Sequence, residues 1–274
     1  MALCRLRFDS QCAKIPVPDG SLLKLTKFTG SLMILIGFST GALALGDFPR
    51  ALGMLTGKSV NAVELSALRT HELPHLVAAL GALDLRQYEY VSVHAPSRFS
   101  EDQEPDVVEL LKPFMAYRWP IILHPDAIHN AALWTQFGDV LCIENMDKRK
   151  AVGRSVAELE PFFDKLPEAR FCFDIAHARQ VDSSMTEAYM LLKAFGNRLR
   201  QIHISEVNSS SKHDRISRGA VRTFKEVSHL IPPTVPVILE TPVVEAEIEE
   251  EIKRASDALS SSNDAIWTPA TPHL

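Results

Sequence analysis

Eight times between Leu32 and Leu259, a short apolar run enriched in β-branched residues gives way to an amphipathic segment. This alternation constrains the fold more than any other feature. A strand that pairs in parallel with its predecessor needs a long crossover to get there, and that crossover is usually a helix. Run length, β-branched enrichment and helical spacing predict strands at 32–38, 62–66, 90–94, 120–124, 140–144, 170–174, 199–203 and 236–240. The same criteria predict helices at 48–55, 72–83, 105–117, 131–137, 156–166, 185–195, 221–230 and 243–259. Eight strand–helix pairs in a row imply an α/β chain closed into a single (β/α)8 TIM barrel. A doubly wound open sheet is the second reading. Such sheets usually carry a glycine-rich turn after the first strand, and Ser39-Thr40-Gly41-Ala42 contains no GxGxxG.

A chain of 274 residues suits one barrel domain over 32–259. Residues 1–31 have little periodicity and are expected to form a weakly ordered extension, with Met33 as an alternative start. Residues 260–274, rich in Ser, Pro and Thr, are expected to be a mobile tail. The segment 32–46 (LMILIGFSTGALALG), with Lys24 and Lys27 upstream, looks like a signal-peptide core with Ala42 and Ala44 at the cleavage position. It starts late, is interrupted by Ser39, Thr40 and Gly41, and is too short to span a bilayer, so it is read as a buried strand.

Apolar residues make up 46% of the chain, enough to offset chain entropy and exclude a disordered protein. The net charge of −5 provides no global basic field, so a nucleic-acid role would need a local patch. Cys4, Cys12, Cys142 and Cys172 form no CxxC pair, which suits a reducing, cytoplasmic compartment.

Six predicted strands finish on a residue able to ligate a metal: His94, His124, Glu144, Asp174, His203 and Glu240. A parallel barrel collects these ends on one rim, where barrel enzymes place their chemistry. An ionisable group closing an apolar strand is costly to bury unpaired, and a shared divalent cation removes that cost. Imidazole and carboxylate ligands suit Zn, Mn, Fe or Co. Cys142 and Cys172 lie two residues before Glu144 and Asp174, on the same strand faces, and are read as small core fillers. His177 is expected on the loop or first turn above Asp174, and His213 on a polar loop long enough to fold over a substrate. His71, His75, His129, His229 and His273 are read as helix or surface histidines, and Lys148-Arg149-Lys150 as a solvated loop.

The series Glu144, Asp174-x-x-His177, His203 and Glu240 resembles the xylose isomerase-like TIM-barrel superfamily over roughly 32–259. That superfamily includes sugar epimerases of the tagatose 3-epimerase type, inosose-pathway isomerases and endonuclease IV. The epimerase branch implies one Mn or similar ion on Glu144, Asp174, His203 and Glu240. There Glu144 and Glu240 would also move a proton α to a carbonyl, and His177 would contact substrate hydroxyls. The endonuclease IV branch implies three zinc ions. His94-Ala95-Pro96 and His124-Pro125 match its extra histidines, with Glu144 bridging two ions and His177 and His213 facing a third.

Two departures weigh against a DNA-repair nuclease: Ser97 stands where that branch has an aromatic Tyr, and Ser211 where it has a third-metal Asp. The leading expectation is therefore a metal-dependent isomerase or epimerase of a sugar or polyol, phosphorylated or not, carrying one to three ions. The first alternative is a multinuclear phosphoester hydrolase, and the second a barrel that only binds. Lys212 and Arg215, like Arg98, Arg149 and Arg154, are candidates for holding a substrate phosphate. The expected partner is a small sugar. Nucleic acid is disfavoured, no membrane is involved, and a homo-oligomer stays open.

Overall fold

The computed structural model describes residues 34–260; the expectations for 1–31, for Met33 and for 261–274 lie outside them. Eight parallel strands close into a barrel: β1 (Ile36–Ser39), β2 (Ala62–Ser66), β3 (Tyr90–His94), β4 (Ile121–Leu123), β5 (Leu141–Glu144), β6 (Arg170–Asp174), β7 (Leu199–Ile204) and β10 (Val237–Leu239). Neighbours follow chain order, and β10 closes the ring against β1 through Ile36↔Val237 and Phe38↔Leu239. An open doubly wound sheet is excluded by this closure. The remaining two strands, β8 (Glu206–Val207) and β9 (His213–Asp214), form an antiparallel hairpin above β7.

The helices are α1 (Thr40–Ala44), α2 (Phe48–Leu55), α3 (Leu73–Ala79), α4 (Glu104–Met115), α5 (Ala131–Trp134), α6 (Val156–Lys165), α7 (Ile175–Val181), α8 (Thr186–Phe195), α9 (Arg218–Ser228) and α10 (Ile248–Leu259). Among the described residues, no helix is long and apolar enough to cross a membrane. Four helices depart from the sequence reading: α1 stands where only a turn is expected, α10 starts at Ile248 rather than at 243, and α9 and α7 differ for reasons of capping. Helix α9 starts at Arg218 because the Ser217 side chain caps it by accepting from the Ala220 N–H. Helix α7 grows directly out of β6, because the Asp174 side chain accepts from the His177 N–H and stops the strand. His177 therefore sits in the first turn of a helix.

Strand alternation divides the core. Outward side chains such as Phe171, Phe173, Leu65 and Ile143 pack against the helices in one continuous cluster. Inside the barrel, only Ile122, Cys142 and Cys172 form an apolar cluster. Ala62 and Ile238 share the inward faces of their strands, and the other buried groups at this level are polar: Glu64, Ser92 and Gln201. Barrel interiors are more often filled by branched apolar layers, so this lumen departs from the usual packing. An irregularity opposite Phe171/Cys172 leaves Arg200 unpaired and sets Gln201 beside Cys172 and His203 beside Asp174. That extra residue aims both side chains into the lumen.

Glu104 ties a helix to the loop that follows His124. Its buried carboxylate accepts from the backbone N–H of His129 (2.9 Å) and Asn130 (2.8 Å) and from the Trp134 indole (2.7 Å). Glu104→Ala would strand three donors, at a cost of about 3 kcal/mol or more. A thermal melt should show a fall of roughly 6–12 °C; an unchanged midpoint would contradict the clamp.

Candidate metal centre

Glu144 ends β5 at the bottom of a cavity of about 340 Å³ in the C-terminal mouth of the barrel. Both of its oxygens are hemmed in by imidazoles. Oε2 lies 3.4 Å from His94 Nε2 and 3.4 Å from His124 Nε2. Oε1 lies 3.2 Å from His203 Nδ1 and 3.6 Å from His177 Nδ1. His203 Nδ1 is also 3.6 Å from Glu240 Oε2, and His177 Nδ1 is 3.5 Å from Asp174 Oδ2. Most of these separations exceed a good N–H···O contact. The separations of His94, His124 and His203 from Glu144 lie close to the edge of a tetrahedron whose corners sit about 2.0–2.1 Å from a central ion, which is about 3.3 Å.

Local chemistry decides which atoms face the cavity. His94 Nδ1 donates to the Ala95 carbonyl at 2.7 Å, so Nε2 is left for the lumen. His177 Nδ1 lies 3.0 Å from the Asn145 carbonyl. Asp174 spends Oδ1 on capping α7, which leaves Oδ2 free. Asn145 fixes the Asp174 backbone by two 2.8 Å bonds, one to its N–H and one from its own amide to the carbonyl. His213 arrives on the hairpin, with Nδ1 held by the Ser205 hydroxyl at 2.8 Å and Nε2 3.7 Å from Glu240 Oε2.

Buried Glu144 Oε2, Asp174 Oδ2 and His124 Nδ1 have no hydrogen-bond partner. Groups in native proteins are seldom left this way, and a cation would satisfy the first two. Among the described residues five sets have all their donor atoms within 4.8 Å of one another: His94, His124 and Glu144; Glu144, Asp174, His203 and Glu240; Asp174, His177 and His213; Glu64, His94 and Glu240; and Glu144, Cys172 and His203. The donor set, imidazole plus carboxylate, fits a divalent transition ion.

Electrostatics agree with a site built for positive charge. Burial opposes ionisation of Glu144, yet the charge of His203 and the contacts with His124 and His94 hold its carboxyl well below the usual range. Burial opposes charge on His94, but its contact with Glu144 and the charges of Glu64 and Glu240 push it up to about 9. Burial likewise opposes charge on His203, and Glu240, Glu64 and Glu144 together raise it well above an ordinary histidine. Burial lowers His124 and His213 and raises Asp174. Burial also pushes the Cys142 thiol up to about 12 and the Cys172 thiol well above its ordinary value, so both are neutral fillers at neutral pH.

The structure therefore brings together His94, His124, Glu144, Asp174, His177, His203, His213 and Glu240. It does not bring Lys212 or Arg215 into the cavity. Arg215 turns outward to Glu247 and Glu251 on the far side of the hairpin. Arg154 is paired with Glu158. The basic run is only partly a solvated loop: Lys150 is paired with Asp126 at 2.7 Å, and Arg149 lines the cavity mouth while bonding the Ser211 carbonyl. Ser211 donates its hydroxyl to Gln180. The strand-end reading misses Glu64, which stands in mid-strand two residues before the end of β2, and the supporting Asn145, Ser205 and Gln201. An acid flanked by apolar residues in AVELS was the available signal.

No family model matches the chain, and no curated protein matches it. Solved structures share its architecture. Endonuclease IV from Thermus thermophilus superposes with a TM-score of 0.54 at 17% identity, covering 82% of this chain and 98% of that one. A spore coat polysaccharide biosynthesis protein from Bacillus subtilis gives 0.54 at 10% identity, covering 87% and 71%. A protein described as a sugar phosphate isomerase/epimerase, from Anabaena variabilis, gives 0.50 at 13% identity, covering 81% and 88%. At these identities the likeness is one of fold alone, a closed (β/α)8 barrel.

Proposed function

We propose that the barrel mouth holds two divalent cations bridged by Glu144 and that the protein is a hydrolase of a small phosphoester, such as a phosphorylated sugar or polyol. One observation carries this reading: each Glu144 oxygen is faced by its own set of imidazoles. His94 and His124 would hold one ion with Oε2. Asp174, His203 and Glu240 would hold the other with Oε1. Cations held there supply Lewis-acid polarisation of a phosphoryl oxygen and a nucleophile at neutral pH.

The chain's own residues do the rest. Arg149 at the mouth is placed to orient an anionic group. His213 is partly exposed, and its Nδ1 is fixed by Ser205. Burial lowers its pKa, so its Nε2 is available as a neutral base facing the cavity. The cavity of about 340 Å³ fits a small ligand, and among the described residues no Phe, Tyr or Trp lines it to wedge a duplex. The net charge of −5 likewise favours a small substrate over nucleic acid.

Isomerase or epimerase chemistry is the second reading, favoured by Glu144 and Glu240 facing one cavity across His203. It requires Glu144 to keep one oxygen free for a carbon-bound proton, and the four-imidazole enclosure argues against that. The order of the two expectations from the sequence is therefore reversed here.

Four measurements test this reading. Elemental analysis should find about two Zn, Mn or Fe per chain, and His94→Ala with His124→Ala should reduce this to one. Glu144→Gln should cut phosphate release from sugar phosphates at least about 100-fold. A single ion, no phosphate release, and deuterium uptake from heavy water α to a sugar carbonyl would establish the isomerase instead. In chelated protein, the raised His94 contributes stability in full below about pH 6.5 that is lost as pH climbs through about 9. Melts of chelated protein from pH 6 to 10 should show that loss. Calorimetry at pH 7 in buffers of different ionisation heat should show protons released on Zn binding, because ligation needs neutral imidazoles.

A further inference from the structure

We propose that Glu64, in the middle of β2, is a positioning residue that fixes the tautomer of His203 and so aims its Nδ1 at the cation centre; this rests on the metal reading above. Glu64 is fully buried, and one oxygen, Oε2, receives three groups. They are the Ser92 hydroxyl at 3.0 Å, the Gln201 amide nitrogen at 2.7 Å and His203 Nε2 at 3.1 Å. Among the described residues no lysine or arginine pairs with it, and its ion-pair partner is His203. Burying a carboxylate so deeply is costly unless it has a task or a partner.

The two nitrogens of His203 have opposite surroundings. Nδ1 looks toward Glu144 Oε1 at 3.2 Å and Glu240 Oε2 at 3.6 Å, on the cavity side. Nε2 faces Glu64 Oε2 at 3.1 Å and the Gln201 amide nitrogen at 2.7 Å, away from the cavity. A ligating nitrogen needs its lone pair, so the ring proton belongs on Nε2, where Glu64 accepts it. The Gln201 amide cannot take Glu64's place. Its oxygen is occupied by the Tyr90 hydroxyl at 2.8 Å, and its nitrogen, a donor, lies 2.7 Å from both Glu64 Oε2 and His203 Nε2, so it competes with the ring for Glu64 and cannot accept the ring proton. Half-buried Tyr90 and buried Gln201, Ser92 and Glu64 thus form a hydrogen-bonded chain that runs up the lumen and ends on one ring nitrogen. The β7 irregularity that sets Gln201 and His203 inward is part of the same device.

Glu64 also lies with His94 and Glu240 in a group whose donor atoms are within 4.8 Å of one another, so a direct ligand role has to be separated from a positioning role. The test uses the full chain with Zn(II). Side-chain 15N NMR of the Zn(II)-loaded wild type should report His203 protonated on Nε2 and ligated through Nδ1. Glu64→Gln, which keeps shape and an acceptor oxygen, should bind the same number of ions with about 10–100-fold weaker affinity in chelator competition. Ligation through Nε2 would overturn the inference even if the variant does not fold. So would a Glu64→Gln protein with wild-type affinity, or one that loses an ion outright and thereby marks Glu64 as a ligand. A wild-type chain that binds no Zn(II) removes the metal reading and this inference together.

Discussion

Four carboxylates, Glu64, Glu144, Asp174 and Glu240, share the lumen with four buried imidazoles, His94, His124, His177 and His203. No lysine or arginine pairs with any of them among the described residues. Such a cluster is stable only if positive charge is shared closely among the acids. Protonated imidazoles supply part of that charge in the bare protein, and divalent ions supply it better. Spacings of 3.4–3.7 Å between most of the donor atoms are long for a hydrogen bond and close to the separation of two ligands on one ion.

Barrel closure makes the cluster possible. The acids and imidazoles come from strands far apart in the chain, and each strand alone would carry one costly group. Only a closed parallel ring delivers their C-terminal ends to one mouth. The polar lumen beneath is part of the same construction. Branched apolar residues at the levels of Glu64, Ser92 and Gln201 would leave the underside of His203 without an acceptor. The small thiols of Cys142 and Cys172 fill the space under Glu144 and Asp174 without adding charge.

Much of this was legible in the sequence. The strands at 62–66, 90–94 and 170–174 and the helix at 48–55 coincide with the structure, because each combines a sharp run with flanking turn residues. The metal-competent strand ends were legible because apolar runs stop on them. Glu64 was not, because an acid inside a strand reads as a solvent-facing position until closure turns that face inward. Arg215 and Lys212 were misplaced for a related reason: a charged loop has no period, and only the hairpin pairing Val207 with His213 decides which side chains turn inward. Helix α7 was missed because its start depends on a side-chain cap by Asp174, a residue already assigned to the strand.

The central claim is that Glu144 bridges two cations, and anomalous scattering from a crystal grown with Zn(II) or Mn(II) tests it most directly. The account predicts two peaks about 3.5–4 Å apart, one on each side of Glu144, with His94 and His124 beside one and Asp174, His203 and Glu240 around the other. A single peak with His94 and His124 bonded only to protein atoms, or no peak in the barrel mouth, would contradict it.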